Sequence, residues 1–239
     1  MPDQSAAPAA VPVNITDGRD VRVSGLLQGP SGSAAQACYA FAHGAGAGMR
    51  HPFMAAIAEG LAARGIATLR YQFPYLERGL KRPDPPQLAH ATVRAAVAAA
   101  GRALPDLPLI AGGKSFGGRM TSQAQAIAPL TGVRGLVFLG FPLHPSGKPS
   151  NERADHLFAV RVPMLFLQGR RDQLATPELI EALTRALGER ATLQLFAEAD
   201  HSFHVPARSG RTDAEVQNAM LDAMATWIAA AITAPWPAQ

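Results

Sequence analysis

Short apolar segments rich in β-forming residues alternate with longer segments of helical period along most of this sequence, and this alternation limits the fold more than any other feature. The predicted strands cover residues 21–27, 37–42, 66–71, 107–112, 133–141, 164–168 and 192–196. The predicted helices cover residues 52–64, 87–104, 115–127, 177–187 and 213–232. Because a helix after each strand returns the chain to the same end of the sheet, successive strands run parallel. The sequence therefore predicts an α/β fold with a doubly wound, mostly parallel sheet and helices on both faces.

The length and composition are those of one packed domain. Of the 239 residues, 48% are hydrophobic and 17% are charged, which excludes a long disordered region. Residues 1–18 contain Pro and Ala without a clear period, so we expect a loose N-terminal lead-in there. Residues 19–239 are expected to form a single α/β domain.

Charge and cysteine content argue against several classes of protein. The formal net charge is +4, but the arginines are spread between apolar segments, so we predict no nucleic-acid partner. The one cysteine, Cys38, lies in an apolar segment and is expected to be a buried thiol. The sequence has no recognisable signal peptide and no uncharged apolar segment long enough to span a bilayer. We therefore expect a cytoplasmic protein with no membrane partner.

A G-x-S-x-G motif lies between a predicted strand and a predicted helix. The strand at 107–112 is followed by Gly113, Ser115 and Gly117, and the helix begins at the serine. In this context the motif indicates a nucleophile elbow, a sharp turn at which glycines remove side chains that would collide. A tight turn without chemistry is one alternative. A phosphate-binding P-loop is another, but it would need a glycine where Pro108 stands.

Two later segments supply the base and the acid that a serine nucleophile needs. The imidazole takes the hydroxyl proton, and a carboxylate fixes the tautomer of the imidazole. Asp172 follows the strand at 164–168 and His201 follows the strand at 192–196, so both are predicted at the sheet edge that carries Ser115. The order Ser, Asp, His is the one expected after a G-x-S-x-G motif. Asp200 is an alternative acid, but directly before the histidine its side chain is expected to point elsewhere.

A glycine-rich loop after the strand at 37–42 is predicted to complete the site. It begins at His43 and Gly44 and exposes backbone N–H groups. An acyl-transfer intermediate needs two such donors for its oxyanion, and we assign them to Ala45 and Phe116. The alternatives are a flexible turn or a dinucleotide fingerprint. The third glycine, Gly48, comes one residue too early for the fingerprint.

Together these motifs resemble those of the α/β-hydrolase superfamily, and within it the small dienelactone-hydrolase-like and carboxylesterase-like proteins. The resemblance rests on residues 43–45, 113–118, 169–172 and 200–203, and it covers residues 21–232. It implies an α/β-hydrolase fold with a serine–aspartate–histidine site. Dienelactone hydrolases are known for a cysteine nucleophile, where this chain has Ser115, so the resemblance by itself does not imply lactone specificity.

The connection between the strands at 133–141 and 164–168 is short. Many members of the superfamily insert a helical cap there, whereas residues 142–162 leave little room for one, so we predict that a cap is absent or minimal. Four other side chains that follow strand ends are candidates for lining the substrate pocket, with packing in the core or at the surface as the alternative. They are Phe73, Tyr75, Phe141 and His144.

The sequence thus predicts a serine hydrolase that cleaves a small ester or thioester through an acyl-enzyme on Ser115. The expected partner is a small-molecule substrate, and the oligomeric state stays open. No cofactor is expected, and no metal is expected because no H-E-x-x-H or paired cysteine pattern occurs. The alternatives are a non-catalytic interaction protein that retains a hydrolase fold, and an amidase or thioesterase.

Overall fold

One sheet of eight strands organises the described part of the chain. The structure is a computed structural model, and it describes residues 6–16, 20–32 and 34–233. The strands are β1 (Ala9–Thr16), β2 (Asp20–Gln28), β3 (Ala37–Ala42), β4 (Ile66–Tyr71), β5 (Leu109–Lys114), β6 (Val133–Leu139), β7 (Met164–Gly169) and β8 (Ala191–Phe196). Their order across the sheet is β1-β2-β4-β3-β5-β6-β7-β8. The first two strands are antiparallel to their neighbours, and β3 to β8 are parallel.

Helices cover both faces of this sheet. They are α1 (Pro52–Ala62), α2 (Pro74–Glu77), α3 (Pro86–Ala103), α4 (Phe116–Ile127), α5 (Pro177–Leu187) and α6 (Asp213–Thr233). On one face, Val93 of α3, Met120 of α4 and Ile180 of α5 belong to one hydrophobic core. On the other face, Ile57 of α1 and Met220 of α6 belong to a second core. All residues of β3 and β4 are buried, as expected of strands covered on both sides. The predicted fold class is confirmed.

Proline and glycine explain several of the element bounds. Proline stands at the first position of α1, α3 and α5, where its missing N–H would have no partner. The strand predicted at 107–112 begins later, at Leu109, because Pro108 cannot donate to a neighbouring strand. The strand predicted at 133–141 ends at Leu139 because Gly140 adopts a φ of 67° and turns the chain.

The N-terminal lead-in predicted for residues 1–18 is wrong for residues 9–16, which form β1 at the edge of the sheet. The alternate residues Val13 and Ile15 are buried at 0% and 1% exposure, and Asn14 between them is exposed. Pro12 made the segment look irregular, but proline is tolerated in an edge strand. Residues 1–5 and 17–18 of the predicted lead-in lie outside the described residues.

The connection between β6 and β7 contains one 3₁₀ helix, Glu152–Ala159, and no helical cap. The prediction of an absent or minimal cap is confirmed. In the ranges that the structure describes, every helix is too short or too polar to cross a membrane.

Candidate active site

The turn from β5 to α4 places Ser115 in a conformation that side-chain-bearing residues rarely adopt. Its φ is 49° and its ψ is −114°, and a backbone strain of this kind costs about 1–3 kcal/mol. The flanking glycines are required because other strands approach closely. A Cβ on Gly113 would lie 2.4 Å from the carbonyl oxygen of Ala42, and one on Gly117 would lie 2.6 Å from that of His43. The sequence pattern therefore corresponds to a sterically necessary elbow.

The serine, histidine and aspartate predicted as nucleophile, base and acid form a hydrogen-bonded series, which we call the relay. The Ser115 hydroxyl lies 2.9 Å from Nε2 of His201, and Nδ1 of the same ring lies 2.7 Å from Oδ2 of Asp172. Asp172 is 3% exposed, whereas the His201 side chain is 25% exposed. Because the carboxylate can only accept, Nδ1 carries the proton and Nε2 is free to accept from the hydroxyl.

Asp172 is held by two further donors that the sequence did not identify as part of the site. The backbone N–H of Leu174 donates to Oδ1 at 2.8 Å, and the Gln168 amide donates to Oδ2. The other end of that amide accepts from the N–H of Phe141 at 2.9 Å. Gln168 is fully buried at the end of β7, and a polar side chain at the end of an apolar strand was the available signal. The carboxylate is thus fixed from three sides.

The alternative acid, Asp200, has a different role in the geometry. Its carboxylate accepts from the backbone N–H groups of Ser202 at 2.7 Å and His204 at 3.0 Å. These bonds fold the loop after β8 that carries His201. The imidazole itself contacts Asp172.

His43 is a fully buried side chain that shapes the glycine-rich loop. Its Nδ1–H donates to the carbonyl of Gly44 at 2.8 Å, and its Nε2 accepts from the N–H of Phe73 at 3.1 Å. Burial lowers the pKa of His43 to about 4, so the ring is neutral near pH 7 and can both donate and accept. The Tyr75 hydroxyl accepts from the N–H of Gly46 at 2.9 Å and holds the same loop.

The four candidates for lining the substrate pocket are packed in the core, which is the alternative that the sequence left open. Phe73 and Tyr75 are 0% exposed, Phe141 and His144 are 1% exposed, and none of these four residues lines the cleft beside Ser115. They act behind the site, as the contacts of Phe73 and Tyr75 with the glycine-rich loop illustrate.

The cleft beside Ser115 has a volume of about 300 Å³ and is open to solvent. Its apolar side is formed by Ala47, Phe53 and Met54, and its polar side includes Ser115 and His201. A Cβ on Gly44 would lie 3.8 Å from the Ser115 Cβ, so the glycine-rich loop passes directly beside the elbow.

The two predicted oxyanion donors lie on opposite sides of this junction. Ala45 lines the cleft from the glycine-rich loop. Phe116 is the first residue of α4, where backbone N–H groups have no acceptor within the helix. Its ring packs edge-on against Phe73 at a centroid distance of 5.3 Å. Both residues therefore lie near Ser115.

A doubly wound sheet whose first strands are antiparallel, with a strand–serine–helix elbow at its fifth strand, defines the class of the α/β-hydrolases. The sequence model of the family described as "Alpha/beta hydrolase domain" matches residues 35–229. The chain belongs to this family, which confirms the resemblance found in the sequence.

Solved structures show the same fold in other organisms. A dienelactone hydrolase from Anabaena variabilis is 23% identical with a TM-score of 0.72, over 94% of this chain and 97% of its own. An α/β serine hydrolase without a lid from Xanthomonas campestris is 19% identical with a TM-score of 0.69, over 100% of this chain and 98% of its own. The esterase domain of a Rhodothermus marinus protein is 18% identical with a TM-score of 0.69, over 93% and 98%. At these identities the likeness concerns the fold.

Proposed function

We propose that this protein hydrolyses small carboxylic esters or thioesters through an acyl-enzyme on Ser115. The observation that carries the proposal is that one imidazole, His201, lies within hydrogen-bond distance of both the Ser115 hydroxyl and the Asp172 carboxylate. A serine hydroxyl becomes an effective nucleophile when a base so placed takes its proton.

In the acylation step, Oγ of Ser115 bonds to the substrate carbonyl carbon and its proton passes to Nε2 of His201. The carbonyl oxygen becomes an oxyanion, which accepts from the N–H groups of Ala45 and Phe116. One such donor contributes about 3 kcal/mol to the transition state. The imidazolium then gives its proton to the leaving alcohol or thiol as the bond to that group breaks.

In the deacylation step, water attacks the acyl carbon while His201 takes one of its protons. The proton is then returned to Oγ as the carboxylic acid leaves and the serine is restored. Asp172 stays ionised throughout and stabilises the imidazolium. The buried amide of Gln168 and the N–H of Leu174 hold the carboxylate in place because both donate to it.

The size and lining of the cleft support a small substrate. A volume of about 300 Å³ is at the lower end of the range for ligand pockets. The side chains of Ala47, Phe53 and Met54 suit a short apolar acyl or alcohol group. Likeness to a dienelactone hydrolase and to esterases is consistent with this substrate class.

The test uses purified full-length protein and p-nitrophenyl esters of increasing acyl length, with matching thioesters and amides. We expect activity to be highest on short esters or thioesters, and Ser115→Ala to lower kcat by at least about 10³-fold. Ser146→Ala is the matched control, because Ser146 lies on an exposed loop away from the cleft. Unchanged activity of Ser115→Ala would refute the proposal.

A fluorophosphonate probe separates a working hydrolase from an interaction protein that retains only the fold. The probe phosphonylates an activated serine as fluoride leaves, so we expect it to label wild-type protein on Ser115, read by peptide mass spectrometry. His201→Ala should remove the labelling, because the hydroxyl loses its base. Absence of labelling in folded wild-type protein would favour the interaction protein.

A further inference from the structure

Lys114 places an ammonium group beside the relay, and the residue also contributes to the lining of the cleft. It is the last residue of β5 and precedes Ser115 at the elbow. Its Nζ donates to the backbone carbonyl of His201 at 2.7 Å and lies 5.6 Å from the ring centroid of Phe203. The side chain therefore connects the elbow to the loop that carries the imidazole, although β6 and β7 separate β5 from β8 in the sheet.

The surrounding chain makes room for this connection. Gly140 follows β6 with a φ of 67°, and a Cβ there would lie 2.9 Å from Nζ of Lys114 and 3.3 Å from Cε1 of His201. Any larger residue would push the ammonium or the ring out of place. The glycine, which its φ of 67° also favours, leaves space for both groups at this position.

The charge on Lys114 has partners inside the site. The carboxylates of Asp172 and Asp200 both favour the ammonium form, and the Phe203 ring contributes a cation–π contact. A hydrogen bond from a charged donor is stronger than one from a neutral donor, so loss of the charge weakens the hold on the His201 carbonyl.

We propose that Lys114 is a positioning residue whose ammonium holds the His201 loop against the elbow, and that full activity requires its charged form. This inference rests on the hydrolysis proposed above. Lys114 forms no bond with the substrate in this role. It acts through His201, whose ring must stay aligned with both Ser115 and Asp172.

A pH dependence follows from the environment of the ammonium. Burial lowers the pKa of Lys114 to about 8, against the opposing effect of Asp172 and Asp200. As the pH rises through that value the ammonium becomes a neutral amine. We therefore expect kcat/KM of the wild-type enzyme to fall on the alkaline side with a midpoint near that pKa.

The first test compares Lys114→Met with Lys148→Met, a control at an exposed lysine outside the cleft. We expect Lys114→Met to lower kcat by about 10- to 100-fold with little change in KM, since removing a charged hydrogen bond misaligns the base. Labelling by the fluorophosphonate should slow by a similar factor. The alkaline fall should disappear from its pH profile, because methionine does not titrate.

The second test restores the charge chemically. In Lys114→Cys, treatment with 2-bromoethylamine rebuilds a side chain of lysine's length that ends in an ammonium. Cys38 is buried and its pKa is raised to about 12, so it should not compete for the reagent. We expect the treatment to recover most of the lost kcat and to bring back an alkaline fall. A packing role alone would not restore that fall.

Three results would overturn the inference while leaving the proposed hydrolysis intact. They are a wild-type profile without an alkaline fall, a Lys114→Met variant within about threefold of wild type, and a fall that persists in that variant. The first needs no variant and so does not depend on the folding of Lys114→Met. Activity that survives in Ser115→Ala would instead refute the hydrolysis itself.

Discussion

Replacing Gly117 with alanine tests whether close backbone approach, rather than helix preference, selects glycine at the elbow. Gly117 is the second residue of α4, and an added Cβ would lie 2.6 Å from the carbonyl oxygen of His43 and 2.7 Å from the carbonyl carbon of Ala42. Cβ atoms essentially never approach within 3.0 Å of other heavy atoms. Because both neighbours are backbone atoms at the end of β3, no side chain can rotate away, and α4 must shift.

The expected effect is the difference between two opposing terms. Overpacking a tight site costs about 3 kcal/mol, and alanine gains up to ~1 kcal/mol over glycine inside a helix. We therefore expect Gly117→Ala to lower the free energy of unfolding by about 2 kcal/mol. The matched control is Gly101→Ala in α3, where the new Cβ would meet only Leu109 Cδ1 at 3.5 Å. That variant should be stabilised by about 0.5–1 kcal/mol.

Urea unfolding followed by circular dichroism gives both values from the same assay. A shift of α4 also moves Ser115 relative to His201, and a displacement near 1 Å at a reacting group lowers the rate by about 10²-fold. Gly117→Ala should therefore lose esterase activity even where it is fully folded. If it unfolded at the same urea concentration as wild type, or if Gly101→Ala were equally destabilised, the steric reasoning would be refuted.

Two further predictions concern Asp172 and the buried ring of His43. Asp172→Asn should keep the fold but lower kcat by roughly 10⁴-fold, because the amide favours the wrong tautomer of His201; a kcat within tenfold of wild type by steady-state assay would contradict this. Burial lowers the pKa of His43 from 6.5 to about 4. At a pH between these two values, the unfolded chain therefore binds more protons at His43 than the folded protein does. The free energy of unfolding therefore keeps its full contribution from neutral His43 above the pKa of 6.5, and it falls by about 3 kcal/mol as the pH is lowered from there to the pKa of about 4 in the folded protein. In His43→Gln the urea midpoint should decline less as the pH is lowered. The same pH dependence of the midpoint as in wild type would contradict the lowered pKa of His43.

The parts of the fold that the sequence revealed are those where local pattern and environment agree. The bounds of β3 and β4 were predicted to the residue, because strands covered on both faces consist of buried residues only. The elbow was predictable because its glycines are a direct steric requirement. By contrast, β1 is one-sided and contains Pro12, so its alternation was too weak to distinguish from a coil.

The parts of the site that the sequence did not reveal depend on where the side chains that follow strand ends pack in the folded protein. Phe73 and Tyr75 follow β4 at the site edge, yet both turn inward and support the glycine-rich loop from behind. Gln168 and Lys114 lie at strand ends, but their partners, Asp172 and the His201 carbonyl, are known only once three loops are placed. Such long-range pairings have no local sequence pattern.

The short connection between β6 and β7 also determines how substrate reaches the site and how product leaves it. Because that connection contains one 3₁₀ helix and no cap, a substrate can reach Ser115 without a hinge motion, and a product can leave by the same route. In the deacylation proposed above, the attacking water comes directly from solvent through the open cleft. In the proposed mechanism no lid has to open, so we expect acylation and deacylation to limit turnover and the reactivity of the scissile bond to decide selectivity.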